Sequence, residues 1–421
     1  MKSWVFVFAL MVLFIIYFLL TIPIYSGDVK TFYSWAEAIL SLGTNGFYER
    51  EIVGFYPPNY PPLTVYFLTG GLIIYKWIYA LAFFLNSQIS FFPSNLIHFL
   101  EWENSWYAFL KLPGIFANLL LTVTCYCLLP VIKKDIERRS RLLLTALIAF
   151  NPALIYVSLI WGQVDFLPLA FYLLAVLLVL KGKVFSSVIF ITLALLSKQN
   201  IIIFLPVYLF LIWKKLSYYK LLISILLAFS VFELFFQPFF PVDLLKPVQF
   251  YLQSFNSTSD NITDSAFSVW WLLSEGSFIS DKNIFYLFSY QIWGYLLTFI
   301  SLLPAVYCYF RKNRHPQMLF LFLTLIALIS FLFLTRLHER HLAPAIIFML
   351  PLLAFGKKYL ISFIFLTFFY MVNLYGSMWQ PRMALFEWIW SDVNFIKAFI
   401  LLYCGLTLFV YYQLVRLGIK K

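Results

Sequence analysis

Charge is scarce in this chain. Asp, Glu, Lys and Arg make up 11% of its 421 residues and hydrophobic residues 63%, whereas a soluble domain usually carries about 25% charge. A water-facing surface of this size cannot be built from so few charges, which excludes one large soluble core. Acidic groups are the scarcest, 18 against 30 Lys and Arg, for a net charge of +12. In so apolar a chain that balance points to loops at an anionic lipid surface, not to nucleic acid. The four cysteines, Cys125, Cys127, Cys308 and Cys404, lie in or beside apolar runs without metal-ligand spacing. They exclude a disulfide framework and a thiolate metal centre. A Walker-type phosphate loop, a dinucleotide fingerprint and an HExxH pair are also missing.

What the chain has in quantity is apolar runs of bilayer-crossing length, from residue 4 to residue 415, and aromatic residues at 22%, 50 of them Phe. Phe suits lipid and tight helix packing, while Tyr and Trp suit the membrane interfaces. The first run, 4–22, has no small-residue cleavage site and reads as a retained first span.

The basic residues fall in short breaks: 131–141, 181–183, 214–220, 311–315, 357–358 and the tail after Arg416. Positive flanks favour the cytoplasmic side. With Lys2 inside, the spans read as 4–22, 109–130, 142–159, 165–180, 184–197, 200–213, 221–239, 287–310, 317–334, 343–356, 359–375 and 396–415, about 12 in all. The run 61–82 does not fit. If it crossed, 131–141, with five Lys/Arg against two acidic residues, would be placed outside. It is therefore expected to be re-entrant or to lie on the surface, in keeping with its prolines, its Gly70–Gly71 pair and Lys76. The expected fold is an all-α polytopic membrane domain over 1–421, with both termini cytoplasmic. A first external loop, 23–106, would carry interfacial helices. A second, 240–286, would end in an amphipathic Trp270–Trp271 stretch and hold sequons at Asn256 and Asn261.

On that topology four polar clusters share the external face: Asp28 with Trp35 nearby, Trp161–Gly–Gln163–Val–Asp165, Lys198–Gln199, and Arg336–Leu–His338–Glu339–Arg340–His341. Asp28 and Asp165 could each be only a helix cap, and Lys198 could snorkel. Five ionisable residues pressed between two apolar helices, however, are costly unless they pair or bind a charged ligand. Arg336, Arg340 and Lys198 suit an anionic group such as phosphate, with His338 and His341 as further donors. Asp28 suits the acceptance of a proton from a hydroxyl. Trp35, Trp161, Trp270 and Trp271 suit stacking on a sugar ring or anchoring at the interface, the latter favoured for the last two. Tyr56 and Tyr60 sit in a rigid double Pro-Pro loop, 54–62, and either face the site or form a turn.

The order Asp28, YPPNYPPL, WGQxD, KQ and a late R-x-HER segment resembles the integral-membrane glycosyltransferases of the GT-C superfamily, over almost the whole chain. The likeness is to bacterial mannosyltransferase-like proteins and to the dolichyl-phosphate-glucose-dependent enzymes. The resemblance implies transfer of a mannose- or glucose-type hexose from a polyprenyl-phosphate-sugar to a glycan, lipid or protein hydroxyl on the non-cytoplasmic face, with inversion. It implies Asp28 as base, with Glu37, Glu49 and Glu51 as weaker acidic candidates. It implies His338, Glu339 and Arg340 at the carrier phosphate, and Lys198 and Gln199 near the phosphate or sugar. Trp161, Gln163 and Asp165 would line the cavity. His341 stands where many relatives have Tyr. The host membrane would be a bacterial plasma membrane or the endoplasmic reticulum. Metal dependence differs between branches of the superfamily, and the sequence shows no cage that demands a divalent ion. A transporter or flippase for an anionic or lipid-linked substrate is the alternative. It would favour internal repeats and a midplane site, and neither is evident.

Overall fold

The computed structural model describes all residues except 1–2, 214, 255–258, 312–314, 379–381 and 420–421. Lys2, Lys214, the sequon Asn256 and most of the 311–315 break fall outside the described residues.

The protein is an all-α polytopic membrane protein. Among the described residues its only strands are the two-residue pair Ile284–Phe285 and Phe288–Ser289. Nine described helices are long and apolar enough to cross a membrane, and three further apolar helices are shorter. Each of the twelve expected spans falls on helical structure. The 200–213 and 343–356 spans are each part 3₁₀ and part α, with Pro206 and Pro351 near the junctions. Helices dominate because lipid offers backbone groups no partner, so each span must satisfy its own.

The chain divides into two compact units, one of residues 1–124 and 154–256, the other of 125–153 and 257–421. In the first unit the helix Gly27–Leu42 packs along Pro62–Gln88, which also packs on Glu103–Leu110. Pro62–Gln88 is one unbroken helix of 27 residues, which corrects the expectation of a re-entrant segment. Gly70 and Gly71 do not break it. A Cβ at Gly71 would lie 2.4 Å from the Phe109 carbonyl oxygen, so this glycine permits a close helix contact. By length and composition the helix could span a bilayer. Its bonds nevertheless keep it with the polar breaks: Thr64 donates to Ser197 O, Lys76 to Glu37, Tyr75 to Leu100 O and Tyr79 to Glu101. Glu103 and Asn104, in turn, bond to Tyr25 and to the Ile22 and Pro23 carbonyls at the end of the first span.

In the second unit the basic breaks also meet one another. Lys133 donates to Ala354 O at 2.6 Å, and His315 packs on Phe355. The segment 259–289 folds over the break at 334–342. Trp270 and Trp271 are both about 97% buried, each being 3% exposed. The Trp270 indole donates to Phe333 O, and only Trp271–Ser274 is helical there. These tryptophans are core residues. An interface anchor leaves its indole N–H to water or headgroups, but here a carbonyl takes that bond. The Asn261 sequon is likewise folded in: its Oδ1 accepts from Ile279 N, and Thr263 is buried and donates to Ala266 O.

Candidate active site

In the first unit, Ser26 caps the helix Gly27–Leu42 by accepting from Val29 N. The same hydroxyl donates to Trp161 O at 2.8 Å, which fastens the helix start to the end of a wide helical turn, Tyr156–Trp161. Asp28 therefore sits in the first helical turn, where the helix dipole favours a carboxylate. Its Oδ2 accepts from Trp161 Nε1 at 2.9 Å and from Gln163 Nε2 at 2.6 Å. Asp28 is half-buried, while Trp161 and Gln163 are buried. Gln163 Oε1 is buried without a hydrogen bond among the described residues. Gly162 has φ 88°, a left-handed backbone, and a Cβ there would lie 2.4 Å from Val29 Cγ2. Only glycine allows both that turn and that approach, so each of W-G-Q has a separate task in holding Asp28.

Asp165 stands at the start of the helix Phe166–Leu180 but makes no capping bond. Its Oδ1 accepts from Lys198 Nζ at 2.7 Å, with the two side chains 3% and 8% exposed. The Lys198 ammonium also lies 5.0 Å from the centre of the Tyr60 ring. Lys198 reaches this place because it ends the helix Val184–Ser197 in an extended conformation. Gln199 Nε2 donates to Ser254 O at 3.0 Å. The Pro-Pro loop packs on the same helix as Asp28: Trp35 donates to Tyr56 O, and the Trp35 and Phe32 rings contact Tyr60. Trp35 is buried in this packing, whereas Tyr56 is 68% exposed.

The second unit holds the late cluster. Arg336 has φ 61°, uncommon for a side-chain-bearing residue. Asp281, fully buried, holds it there through Nε at 2.7 Å and Nη2 at 3.0 Å, with Thr335 donating to the same carboxylate. The hydrogen bond from Arg336 to Asp281, with the charge of that carboxylate, keeps the guanidinium pKa above its ordinary value against the opposing effect of burial. His338 N donates to His341 Nδ1 at 3.0 Å, closing a reciprocal cap on the turn Glu339–Leu342. The spacing of three between these histidines thus serves a turn. Glu339 is buried, Arg340 lies 3.5 Å from it, and Tyr370 donates to Arg340 O. Beside them Asp264 donates its N–H to Leu337 O and has Oδ2 3.9 Å from His338 Nε2. Burial raises the Asp264 carboxyl pKa above the usual range, against the opposing Ser259 bond.

The expected site residues thus gather in two groups. Asp28, Trp161, Gln163, Asp165, Lys198, Gln199, Trp35, Tyr56 and Tyr60 belong to the first unit, and Arg336, His338, Glu339, Arg340 and His341 to the second. Three residues escaped the sequence reading: Lys111, Asp264 and Asp281. Each sits in an unremarkable sequence context, and only its partners mark it. Among the described residues no three His, Cys, Asp or Glu side chains are grouped to hold a metal ion.

Comparison with known proteins adds a family. The profile described as glycosyltransferase family 87 matches residues 96–335. The match takes in Lys111, Trp161–Asp165, Lys198, Asp264 and Asp281. It begins after Asp28 and stops before His338. No curated protein matches the chain. The match covers more than half of the sequence, and with its helical membrane architecture the chain belongs to glycosyltransferase family 87, a family of the GT-C type.

Proposed function

We propose that the protein transfers a mannose- or glucose-type hexose from a polyprenyl-phosphate-sugar to an acceptor hydroxyl, with inversion and with Asp28 as base. The observation that carries this reading is the Asp28 carboxylate. One oxygen is held by Trp161 and Gln163, and the half-buried group keeps its other oxygen for an incoming hydroxyl. Two donors on one oxygen fix the rotamer of a base before substrate arrives.

The acceptor oxygen attacks the anomeric carbon as the bond from that carbon to the phosphate oxygen breaks. The hydroxyl proton passes to Asp28, and the polyprenyl phosphate leaves as an anion. A phosphate leaving group needs no strong general acid, so one carboxylate suffices. Lys198, held by Asp165 and Tyr60, is the first unit's cation for developing phosphate charge. In the second unit Arg340 and His338 are the anion-binding candidates, with Glu339 and His341 shaping their turn. Arg336 has its guanidinium committed to Asp281 and takes a positioning role. A lipid-linked donor also suits a chain whose sequence carries no nucleotide-binding motif.

The polar breaks lie on the non-cytoplasmic face in this reading, and the basic breaks and termini on the cytoplasmic face. Membership in a glycosyltransferase family weighs against the transporter alternative. The test is transfer by purified, reconstituted protein from a panel of polyprenyl-phosphate sugars. Asp28→Asn should insert normally and lose transfer by about a thousandfold or more, the usual range for a missing base. Wild-type turnover in that variant removes Asp28 from the role.

A further inference from the structure

Lys111 is buried, with 1% of its surface exposed. It ends the helix Glu103–Leu110, one residue before the spanning helix Leu112–Ile132. Its ammonium donates to three backbone carbonyls: Thr21 O at 2.8 Å, Ile160 O at 3.0 Å, and Ile24 O. An ammonium has three protons, so each carbonyl receives one. No carboxylate pairs with it among the described residues. Burial pushes its pKa down to about 7.

The three carbonyls belong to two stretches of chain. Thr21 ends the first span, and Ile24 lies between it and the Ser26 cap that starts the Asp28 helix. Ile160 immediately precedes Trp161. A Cβ at Gly162 would lie 3.2 and 3.3 Å from Lys111 Cγ and Cε, so the lysine stem also fills the space under the W-G-Q turn. Carbonyls at such helix ends lack a partner within the helix and need an outside donor.

We propose that Lys111 is a positioning residue for transfer: it ties the 21–24 segment to Ile160 and thereby sets the Asp28–Trp161 hydrogen bond. The proposal rests on the reading of Asp28 as base. It predicts a loss in turnover rather than in substrate affinity, because Lys111 touches only backbone at the support of the base.

Lys111→Met keeps the stem and removes the donors, and Lys111→Gln keeps two donors on a shorter stem. Both would be measured in nanodiscs beside wild type and Asp28→Asn. For Lys111→Met, hydrogen exchange of peptides covering 21–29 and 158–163 should rise at least tenfold together, with exchange elsewhere unchanged. Its kcat should fall at least tenfold while KM stays within twofold. Lys111→Gln should lie between that variant and wild type in both readouts. Unchanged exchange in both peptides, or a change in KM alone, overturns the proposal. Failure of both variants to fold assigns Lys111 to folding and also overturns it. If Asp28→Asn retains turnover, the base assignment fails, while the exchange data still decide whether Lys111 joins the two segments.

Discussion

Gln163 Nε2 and Asp28 Oδ2 are 2.6 Å apart, across 135 residues of sequence. The bond sets the carboxylate rotamer together with the Trp161 indole. Hydrogen bonds to charged groups contribute about 1.5–3 kcal/mol. Gln163→Ala should therefore lower kcat by about tenfold or more with little change in KM. Adding Trp161→Phe should cost less than the product of the two single effects, because both donors serve one oxygen. Steady-state transfer kinetics on the two single variants and the double variant decide this.

Gly162→Ala should destabilise the protein by about 1–3 kcal/mol, the usual cost of a strained backbone. The added methyl also meets Val29, on the helix that carries Asp28. A lowered thermal midpoint accompanied by lost activity is the expected result. A fully stable, fully active variant would show that the turn relaxes freely.

Asp281→Ala should be severe, at about 3–5 kcal/mol, because it leaves the Arg336 guanidinium unpaired in a mostly buried place. Replacing both residues, as Asp281→Ala with Arg336→Met, should recover part of the loss. Thermal melts of the two variants in the same detergent test the pairing.

Asp264 gives a pH dependence. Its folded-state pKa lies above that of the unfolded chain because burial disfavours the charge. The folded protein thus holds the proton more tightly, and stability from this group is lost as pH rises through the folded pKa. Asp264→Asn removes that loss. The thermal midpoint of the variant relative to wild type should rise as pH increases from the usual carboxylate range through the raised folded-state pKa. A difference that does not change with pH contradicts the assignment.

Single cysteines in a cysteine-free background should report the topology. Substitutions at the exposed Lys76 and Lys282 should label from the side opposite to those at the exposed Asp135 and Lys181. Labelling of Lys76→Cys from the same side as Asp135→Cys would make Pro62–Gln88 a span and reverse the sidedness of the later breaks.

The sequence by itself determined the membrane class and the approximate positions of the spanning helices. Those depend on local hydropathy and on each helix bonding its own backbone, so runs such as 184–197 and 316–333 could be read within a residue or two. It also marked the polar breaks, because a charge between apolar helices is costly and stands out. It did not show that Gly70–Gly71 leaves Pro62–Gln88 unbroken, since the reason lies in Phe109, on another helix. Nor did it show what Trp270 and Trp271 touch, since an interface tryptophan and a core tryptophan look alike in a sequence.

Only the tertiary structure decided the partners. Lys198 meets Asp165, Arg336 meets Asp281, and Lys111 meets three carbonyls from two segments. Before an apolar run, Lys111 reads like any snorkelling lysine. Hydrogen bonds between distant residues depend on how helices pack, and neither spacing nor composition along the chain encodes that packing.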